Sequence, residues 1–426
     1  MKKRVLVEGP FLTQSGYGEH ARLVLRSLRT QEETFDIYAI PVNWGQTSWL
    51  FQEDEERRWM DYTVNKTVNY INQRGQFDIY IHVGIPNELK RKAPVTIEVT
   101  AGIETNKITP EWITILNREC DKIITVSQHS KDVFEKSAWK INDQAGNIFD
   151  LKLNVPVEVV GYPIKNFNKF EDKEYVKLAE ESVKNQFPLD YDFNFLCVAQ
   201  WGPRKNLTNT IQWFLEEFKN DKVGLVCKVN HSNNSLFDRI SCENALKELI
   251  KPFKDKKCKV YLLHGDMNEQ EMHDLYMHPQ IKGIINFGHG EGFGLPLFEA
   301  AYSGLPVIAP DFSGHRDFLY IEVDGKKKSA FSKVPYDLKK IQPEAVWEGV
   351  LHPDSEWAFV NPLGARIAMR EVFKDFGRFR GQAKKLKDYL LKNQEDINKK
   401  FCSLIYEKEN FDVEKWLEEM NINTFE

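Results

Sequence analysis

The chain has 426 residues, of which 42% are hydrophobic and 28% are charged, and its 58 basic and 63 acidic side chains give a formal net charge of −5. This length predicts two or three domains with full-sized cores, and the apolar fraction excludes a disordered protein. No apolar run approaches the roughly 18–20 residues of a membrane span, and the first residues lack the apolar region of a signal peptide. The mild acidity argues against nucleic-acid or membrane binding over the whole surface.

Cysteine and histidine usage bears on compartment and metal content. The six cysteines are scattered without a C-x-x-C pair, which predicts reduced thiols in a cytoplasmic protein. The sequence also contains neither H-E-x-x-H nor paired Cys/His spacing, so it predicts no metal site.

Short apolar runs alternate with helical patterns in the first half of the chain. Strands are predicted at 3–8, 35–42, 77–83, 95–99 and 122–127, and helices at 19–28, 53–74 and 110–116. Strands that alternate with helices favour βαβ units and a parallel sheet.

The pattern changes around 155–170, where a stretch rich in turn residues precedes a charged helix predicted at 171–186. The alternation then restarts, with strands at 193–199, 224–229, 259–263, 284–286 and 307–309 and helices at 206–218, 242–251 and between the last two strands. Further helices are predicted at 365–376, 380–393 and 413–420. We therefore expect two doubly wound domains, at 1–168 and 169–380, followed by a helical tail at 381–426.

A glycine loop follows the first predicted strand. Gly16, Gly18 and Ala21 match the G-x-G-x-x-A pattern of dinucleotide-binding turns. The loop is long for that pattern, however, and the next strand ends without a carboxylate for a ribose. A nicotinamide site and a plain glycine turn are therefore the alternatives, and we predict that Gly16, Tyr17 and Gly18 line a cleft between the domains.

A second glycine-rich loop is the most informative segment. It follows a buried strand at 284–287, and Pro296 and Gly304 then fit the two ends of a short helix. Backbone N–H groups at such a helix start bind phosphate oxygens. Glu299 lies about one turn into the helix, where it could accept two ribose hydroxyls, and Glu291 lies eight positions earlier in the loop. The alternative is a structural turn with two surface glutamates.

Glu291 and Glu299 form an E-x7-E motif, and the surrounding Glu-Gly-Phe-Gly-Leu-Pro…Glu-Ala…Gly-Leu-Pro-Val-Ile-Ala resembles the signature of the glycogen-synthase-like group of retaining glycosyltransferases. The resemblance covers roughly residues 1–320. It implies the GT-B fold, in which two Rossmann-like domains face a central cleft and the helical tail packs back on the first domain. A nucleotide sugar would bind mainly to the second domain. The implied donor ligands in this segment are His289, Gly290, Glu291, Gly292, Phe293, Gly294, Leu295 and Glu299.

The segment 198–206 resembles the group's diphosphate-binding motif. Lys205 falls on the family lysine, and Arg204 precedes it and could supply a second cation. Gln200 stands where many members carry an arginine, which leaves open whether Arg204 takes over that role. The alternative is two solvated basic residues at a helix start.

The acceptor side is less defined. Residues 100–112 resemble a loop that faces the acceptor in part of the group, but the histidine often found near the acceptor is not evident. His82 and Glu104 are the candidates for that neighbourhood, with structural roles as the alternative. The resemblance implies front-face attack with retention, the departing phosphate accepting the proton. Arg204, Lys205 and Glu291 are then the predicted catalytic residues, and no covalent nucleophile stands out.

The expected donor is a UDP-sugar, with no cofactor, and the expected acceptor is a glycan or another small hydroxylated molecule. Hydroxymethylated bases of DNA, as used by some phage enzymes, are an alternative because the lysine runs at 254–259 and 326–328 could contact phosphates. An NAD-linked oxidoreductase and a non-catalytic sugar-binding relative are alternatives of other classes. A metal-dependent GT-A enzyme would need Asp-x-Asp after a strand, whereas Asp190 and Asp192 precede one. The sequence predicts no oligomeric state.

Overall fold

The computed structural model describes residues 2–142, 147–165 and 187–406. The helices predicted at 171–186 and 413–420 and the domain boundary predicted at 168/169 lie outside these residues. The proposed domain limits therefore stay predictions, and the two halves are described by their sheets.

A parallel six-stranded sheet forms the centre of the first half. Its strands are β1 (Lys3–Gly9), β2 (Phe35–Pro41), β3 (Ile79–Val83), β4 (Val95–Thr100), β5 (Lys122–Thr125) and β8 (Val157–Val159), in the order β2-β1-β3-β4-β5-β8. The helices are α1 (Gly16–Arg29), α2 (Glu55–Asn72), α3 (Pro110–Glu119) and α4 (Gln128–Lys136), and β6 (Ala138–Asn142) pairs with β7 (Ile148–Lys152) in a separate hairpin. All five residues of β3 are buried, as is typical of a strand in a parallel sheet that is covered on both faces.

The second half repeats this plan. Its parallel sheet contains β9 (Asn194–Gln200), β10 (Gly224–Asn230), β11 (Lys259–Leu263), β12 (Ile281–Ile285), β13 (Val307–Pro310) and β16 (Ser332–Val334), in the order β11-β10-β9-β12-β13-β16. The helices are α5 (Leu207–Phe218), α6 (Leu236–Ile250), α7 (Glu269–Tyr276), α8 (Leu295–Ser303), α9 (Pro362–Lys374), α10 (Phe376–Lys392) and α11 (Ile397–Ile405). Both doubly wound sheets confirm the predicted α/β class, and the arrangement is the GT-B fold.

Helix α6 is longer than its apolar pattern indicated. It begins at Leu236, six residues before the predicted start, where the Ser235 side chain accepts a hydrogen bond from the Asp238 N–H. Leu236 and Phe237 in its first turn are exposed. The apolar periodicity therefore starts only where the helix meets the core, and the cap residue marks its true beginning.

Residues 336–360 form an insert that leaves the second sheet. It contains the antiparallel strands β17 (Tyr336–Lys340) and β18 (Glu356–Val360) and follows a hairpin of β14 (Tyr320–Val323) and β15 (Lys326–Ser329). The sequence analysis missed both strand pairs. The insert reaches the first half of the molecule, where Asn106 N donates to Glu356 O (2.9 Å) and Glu356 N donates to Asn106 Oδ1 (2.8 Å). The two halves are thus tied together beside their cleft as well as through the chain.

The C-terminal helices divide between the two halves. Helix α10 packs on α8 of the second half and runs uninterrupted across the predicted 380/381 boundary. Helix α11 packs on α1 of the first half, where Ser27 Oγ donates to Asn398 Oδ1 (2.9 Å) and Cys402 Sγ donates to Ser27 O (3.1 Å). The contact of α11 with α1 lies on the side of the molecule to which the tail was expected to return.

Two further properties concern the described residues as a whole. All six cysteines are buried and free. Within residues 2–142, 147–165 and 187–406, no helix is both long enough and apolar enough to cross a membrane.

We expect Phe401→Ala to lower the thermal unfolding midpoint by several degrees. Phe401 is 2% exposed in the contact of α11 with the core of the first half, and truncation of a buried Phe typically costs about 3–5 kcal/mol. Differential scanning calorimetry measures the shift, with Ser403→Ala on the exposed face of α11 as the matched control. Equal midpoints for the two variants would show that α11 does not contribute to the stability of this core.

Candidate active site

A deep cleft separates the two halves and has a volume of about 1320 Å³. Its walls come from segments that follow the carboxyl ends of strands in both sheets, including residues 101–104 after β4 and 203–205 after β9. Ligands of open parallel sheets bind at this edge. The two sheets therefore present their ligand-binding edges to the same space.

Arg204 and Lys205 are held in a short 3-10 turn after β9. The turn is fixed to the end of β12 because His289 N donates to Arg204 O (2.8 Å) and Asn206 Nδ2 donates to Phe287 O (3.0 Å). The side chains point into the cleft, where Arg204 Nη1 donates to Gly290 O (2.8 Å) and Lys205 Nζ lies 2.5 Å from Glu291 Oε1. They are partly buried and paired, and are not the solvated residues of the alternative interpretation.

Glu291 is 6% exposed and lies at the centre of this cluster. Its carboxylate accepts from Asn286 Nδ2 (2.8 Å) as well as from Lys205, and it lies 3.4 Å from Arg204 Nη1. Burial by itself would raise the carboxyl pKa, but the two cations and the hydrogen bonds from Lys205 and Asn286 lower the pKa of Glu291 to about 2. Glu291 is therefore an ionised hydrogen-bond acceptor at neutral pH.

The glycines of the loop allow the two halves to approach each other closely. A Cβ at Gly292 would lie 2.1 Å from Ala101 O, and one at Gly290 would lie 2.4 Å from Glu104 O, both in the first half. At the start of α8, Gly294 has a positive φ of 94°, and Pro296 follows in the first helical turn, as predicted. Residues 291–296 and Glu299 thus line the cleft, whereas Gly290, a predicted donor ligand, lies outside the described lining.

Glu299 lies on α8 in a different electrostatic environment. Its carboxylate accepts from Tyr276 OH (3.0 Å) and lies 3.7 Å from Lys165 Nζ. Lys165 also lies 2.8 Å from Glu269 and 3.4 Å from Glu19 of the first half. Burial raises the pKa of Glu299 and outweighs the opposing effect of Lys165. Sequence reasoning missed Lys165, which no recognisable motif surrounds.

Gly16 and Tyr17 of the first glycine loop line the cleft, whereas Gly18 lies outside the described lining. Gly18 N donates to the Ser15 side chain (2.9 Å), which caps α1, and a Cβ at Gly18 would lie 2.2 Å from Thr13 O. Tyr17 forms a hydrogen bond with Thr100 Oγ1 (3.0 Å). Local packing against Thr13 therefore explains the second glycine, and the Ser15 cap already uses one of the N–H groups that a phosphate would need.

The structure separates the two acceptor-side candidates. Glu104 lines the cleft, and its Oε1 lies 3.3 Å from Arg204 Nε across the two halves. His82 is buried in the first sheet, where the parallel register pairs it with Glu98 at 2.7 Å (Nδ1 to Oε2). His82 is therefore placed to stabilise the sheet, away from the described cleft lining.

His289 and Gln200 occupy positions that their motifs did not reveal. The ring nitrogens of His289 contact Ala358 O (2.7 Å) and Gln342 Nε2 (2.9 Å), and its ring stacks on Trp357 of the insert. His289 thus anchors the insert, and it lies outside the described cleft lining. Gln200 does line the cleft, and its Nε2 donates to His231 O (2.7 Å).

One cluster has ligand atoms at the spacing of a metal site. Asp238, Cys242 and His264 each place one such atom within 4.8 Å of the others. The Asp238 carboxylate, however, accepts the backbone N–H groups of residues 231–233 together with His264 Nε2. Burial also raises the pKa of the Cys242 thiol to about 12, which keeps it protonated. The cluster anchors the loop that begins α6.

Comparison with known proteins supports the fold assignment. No protein-family model matches the chain. It is 29% identical over 262 residues to the serotype-specific mannosyltransferase WbdA of Escherichia coli, a match that spans 58% of this chain but 28% of WbdA. The chain therefore spans little more than a quarter of this curated relative.

In structure the chain is similar to Anabaena Alr3699/HepE, solved with UDP and glucose, and to sucrose-phosphate synthase from Thermosynechococcus elongatus. Each has a TM-score of 0.59 at 12% identity, with 94% of this chain and 99% of HepE covered, and 95% and 98% for the synthase.

We expect Glu291→Gln to destabilise the protein at neutral pH, because a neutral amide leaves Arg204 and Lys205 without their buried counter-charge. The pKa of Glu291 is lowered by folding, so its stabilising contribution is complete above about pH 4.5 and is lost as the pH falls towards 2. The free energy of unfolding should thus differ between wild type and variant by on the order of 3 kcal/mol at pH 7, and by less at pH 3.

Urea unfolding at pH 7, 5 and 3 measures this difference, and Glu371→Gln on the exposed face of α9 is the control. A difference between wild type and Glu291→Gln that stays constant over this pH range would contradict the ionised pairing.

Proposed function

We propose that the protein is a glycosyltransferase that moves a hexose from a UDP-sugar to a hydroxyl of a glycan, with retention of configuration and without a metal ion. The observation that carries the proposal is the convergence of Arg204, Lys205 and the N-terminus of α8 on one wall of the cleft. The fold and the sequence similarity to a mannosyltransferase support the same class of reaction.

The leaving group explains why two cations are needed there. Cleavage of the bond between sugar and diphosphate places negative charge on the diphosphate and positive charge on the sugar ring. Arg204, Lys205 and the N–H groups at the start of α8 would stabilise the first of these charges. Arg204 is also paired with Glu104, which is only partly buried. The diphosphate would take over Arg204 from that carboxylate.

The two motif glutamates would recognise hydroxyl groups. Glu291 is ionised and buried beside the basic pair, so it is suited to accept hydrogen bonds from the transferring sugar. Glu299 lies one turn into α8 and lines the same cleft, so it would accept hydrogen bonds from the hydroxyls of a ribose attached to the diphosphate. Front-face attack by the acceptor, with proton transfer to the departing phosphate, fits this arrangement.

Charge balance supports a neutral acceptor. Nine carboxylates and seven cationic side chains are present among the described residues that line the cleft. A DNA backbone would require a clear excess of positive charge along its path. A glycan acceptor fits this charge balance better. For the transferred sugar, the mannosyltransferase relative and the glucose in the HepE crystal support a hexose. The Ser15 cap on α1 disfavours a nicotinamide dinucleotide at the first glycine loop.

We expect Lys205→Met to reduce kcat/KM for consumption of the UDP-sugar by at least about 100-fold, because the ammonium interacts with charge that develops in the transition state. Release of UDP from UDP-glucose and UDP-galactose, and of GDP from GDP-mannose, measures this activity, and a thermal shift with each donor measures binding.

Lys219→Met is the matched control, because Lys219 follows α5 and is exposed. The proposal fails if the wild type neither binds nor consumes any of these donors. The proposed role of Lys205 fails if Lys205→Met and Lys219→Met have the same kcat/KM.

A further inference from the structure

The insert at 336–360 contributes a loop to the active-site cleft. Within it, a 3-10 turn at Pro343–Ala345 packs against the turn Pro203–Lys205 that carries the basic pair. Glu344, Val346 and Trp347 line the cleft beside this contact. The insert thus places side chains next to the proposed reaction centre, although it belongs to neither parallel sheet.

The loop is fixed to both halves of the molecule. Trp347 N donates to Leu351 O (3.2 Å) and Leu351 N donates to Trp347 O (2.7 Å), with Gly349 between them at a φ of 71°. Gly349 O then accepts from Asn87 Nδ2 (2.9 Å) and Thr109 Oγ1 (3.2 Å) of the first half. The backbone that carries Trp347 is therefore rigid and held from two sides.

The indole of Trp347 is nevertheless 55% exposed, and the neighbouring Val346 is 38% exposed. Tryptophan is highly buried on average, and a rigid aromatic side chain that projects into a cleft provides contact area for a ligand at low entropic cost. Ile85 and Trp112 of the first half line the same cleft. The carboxylates of Glu104 and Glu344 line it as well.

We propose that Trp347 is the stacking platform of the acceptor subsite and that the acceptor is a carbohydrate, with one pyranose ring lying against the indole. This inference rests on the proposed function for its place in the reaction. A pyranose presents an apolar C–H face and a rim of hydroxyls, which matches an indole accompanied by carboxylate acceptors. An acyl chain would desolvate Glu104 and Glu344 without giving them a hydrogen bond, which is costly.

An array of defined glycans, with alkyl chains spotted on the same surface, tests the inference with labelled full-length protein in the presence of UDP. We expect the wild type to bind a subset of glycans, Trp347→Phe to retain most of the signal, and Trp347→Ala to lose at least about tenfold. Trp49→Ala is the matched control, because Trp49 is 46% exposed and lies outside the described cleft lining. Thermal unfolding verifies that the three variants fold.

The outcomes separate the subsite from the activity. The subsite is wrong if no glycan binds, if Trp347→Ala binds as the wild type does, or if alkyl chains alone bind equally well. If the glycan binding depends on Trp347 but the wild type consumes no nucleotide sugar, the proposed transferase activity fails while the carbohydrate site stands. If the wild type consumes a donor but Trp347→Ala binds the glycans as the wild type does, the proposed subsite fails while the proposed transferase activity stands.

Discussion

The buried pairing of Glu291 with Arg204 and Lys205 is the interaction on which the cleft depends. Each of these charges would be costly to bury alone, so each requires the others to be present and correctly placed. The backbone enforces that placement, because His289 N and Asn206 Nδ2 fix the basic turn to the end of β12. The segments after β9 and β12, which carry the cations and the carboxylate, are therefore held together by hydrogen bonds in the absence of a ligand.

The same cluster determines how closely the halves of the molecule meet. Gly290 and Gly292 flank Glu291, and their missing side chains leave room for the carbonyls of Glu104 and Ala101. Glu104 then reaches Arg204 across this contact. Gly290 and Gly292 are therefore required for the close contact of the two halves. Under the proposed function, the same loop would also contact the ligand, so the glycine motif has both a packing and a binding role.

Local patterns in the sequence predicted most of the fold and the centre of the site. The alternation of strands and helices revealed both sheets, and the loop with Glu291 and Glu299 marked the ligand-binding edge. The sequence alone does not show which side chains outside a motif come together in the folded protein. His82 was predicted near the acceptor, but the strand register pairs it with Glu98. Lys165 comes close to Glu19, Glu269 and Glu299 only in the folded chain. The insert was missed because β17 and β18 have only five residues each and most of β17 is exposed and polar, so neither strand gives a clear apolar pattern.

For ligand binding, the position of each charged side chain in the cleft matters more than the net charge of the cleft. Among the described residues, the cationic side chains on the α1 side of the cleft are matched by carboxylates, as Arg26 is by Glu19 and Glu56. Arg204 and Lys205 are also matched, by Glu104 and Glu291, and Arg204 contacts the loop that leads into α8. The helix dipole adds partial positive charge at that end, which the paired side chains do not cancel. Under the proposed function, a cleft that is nearly neutral overall would therefore bind the diphosphate at this one point, next to the carboxylate of Glu291.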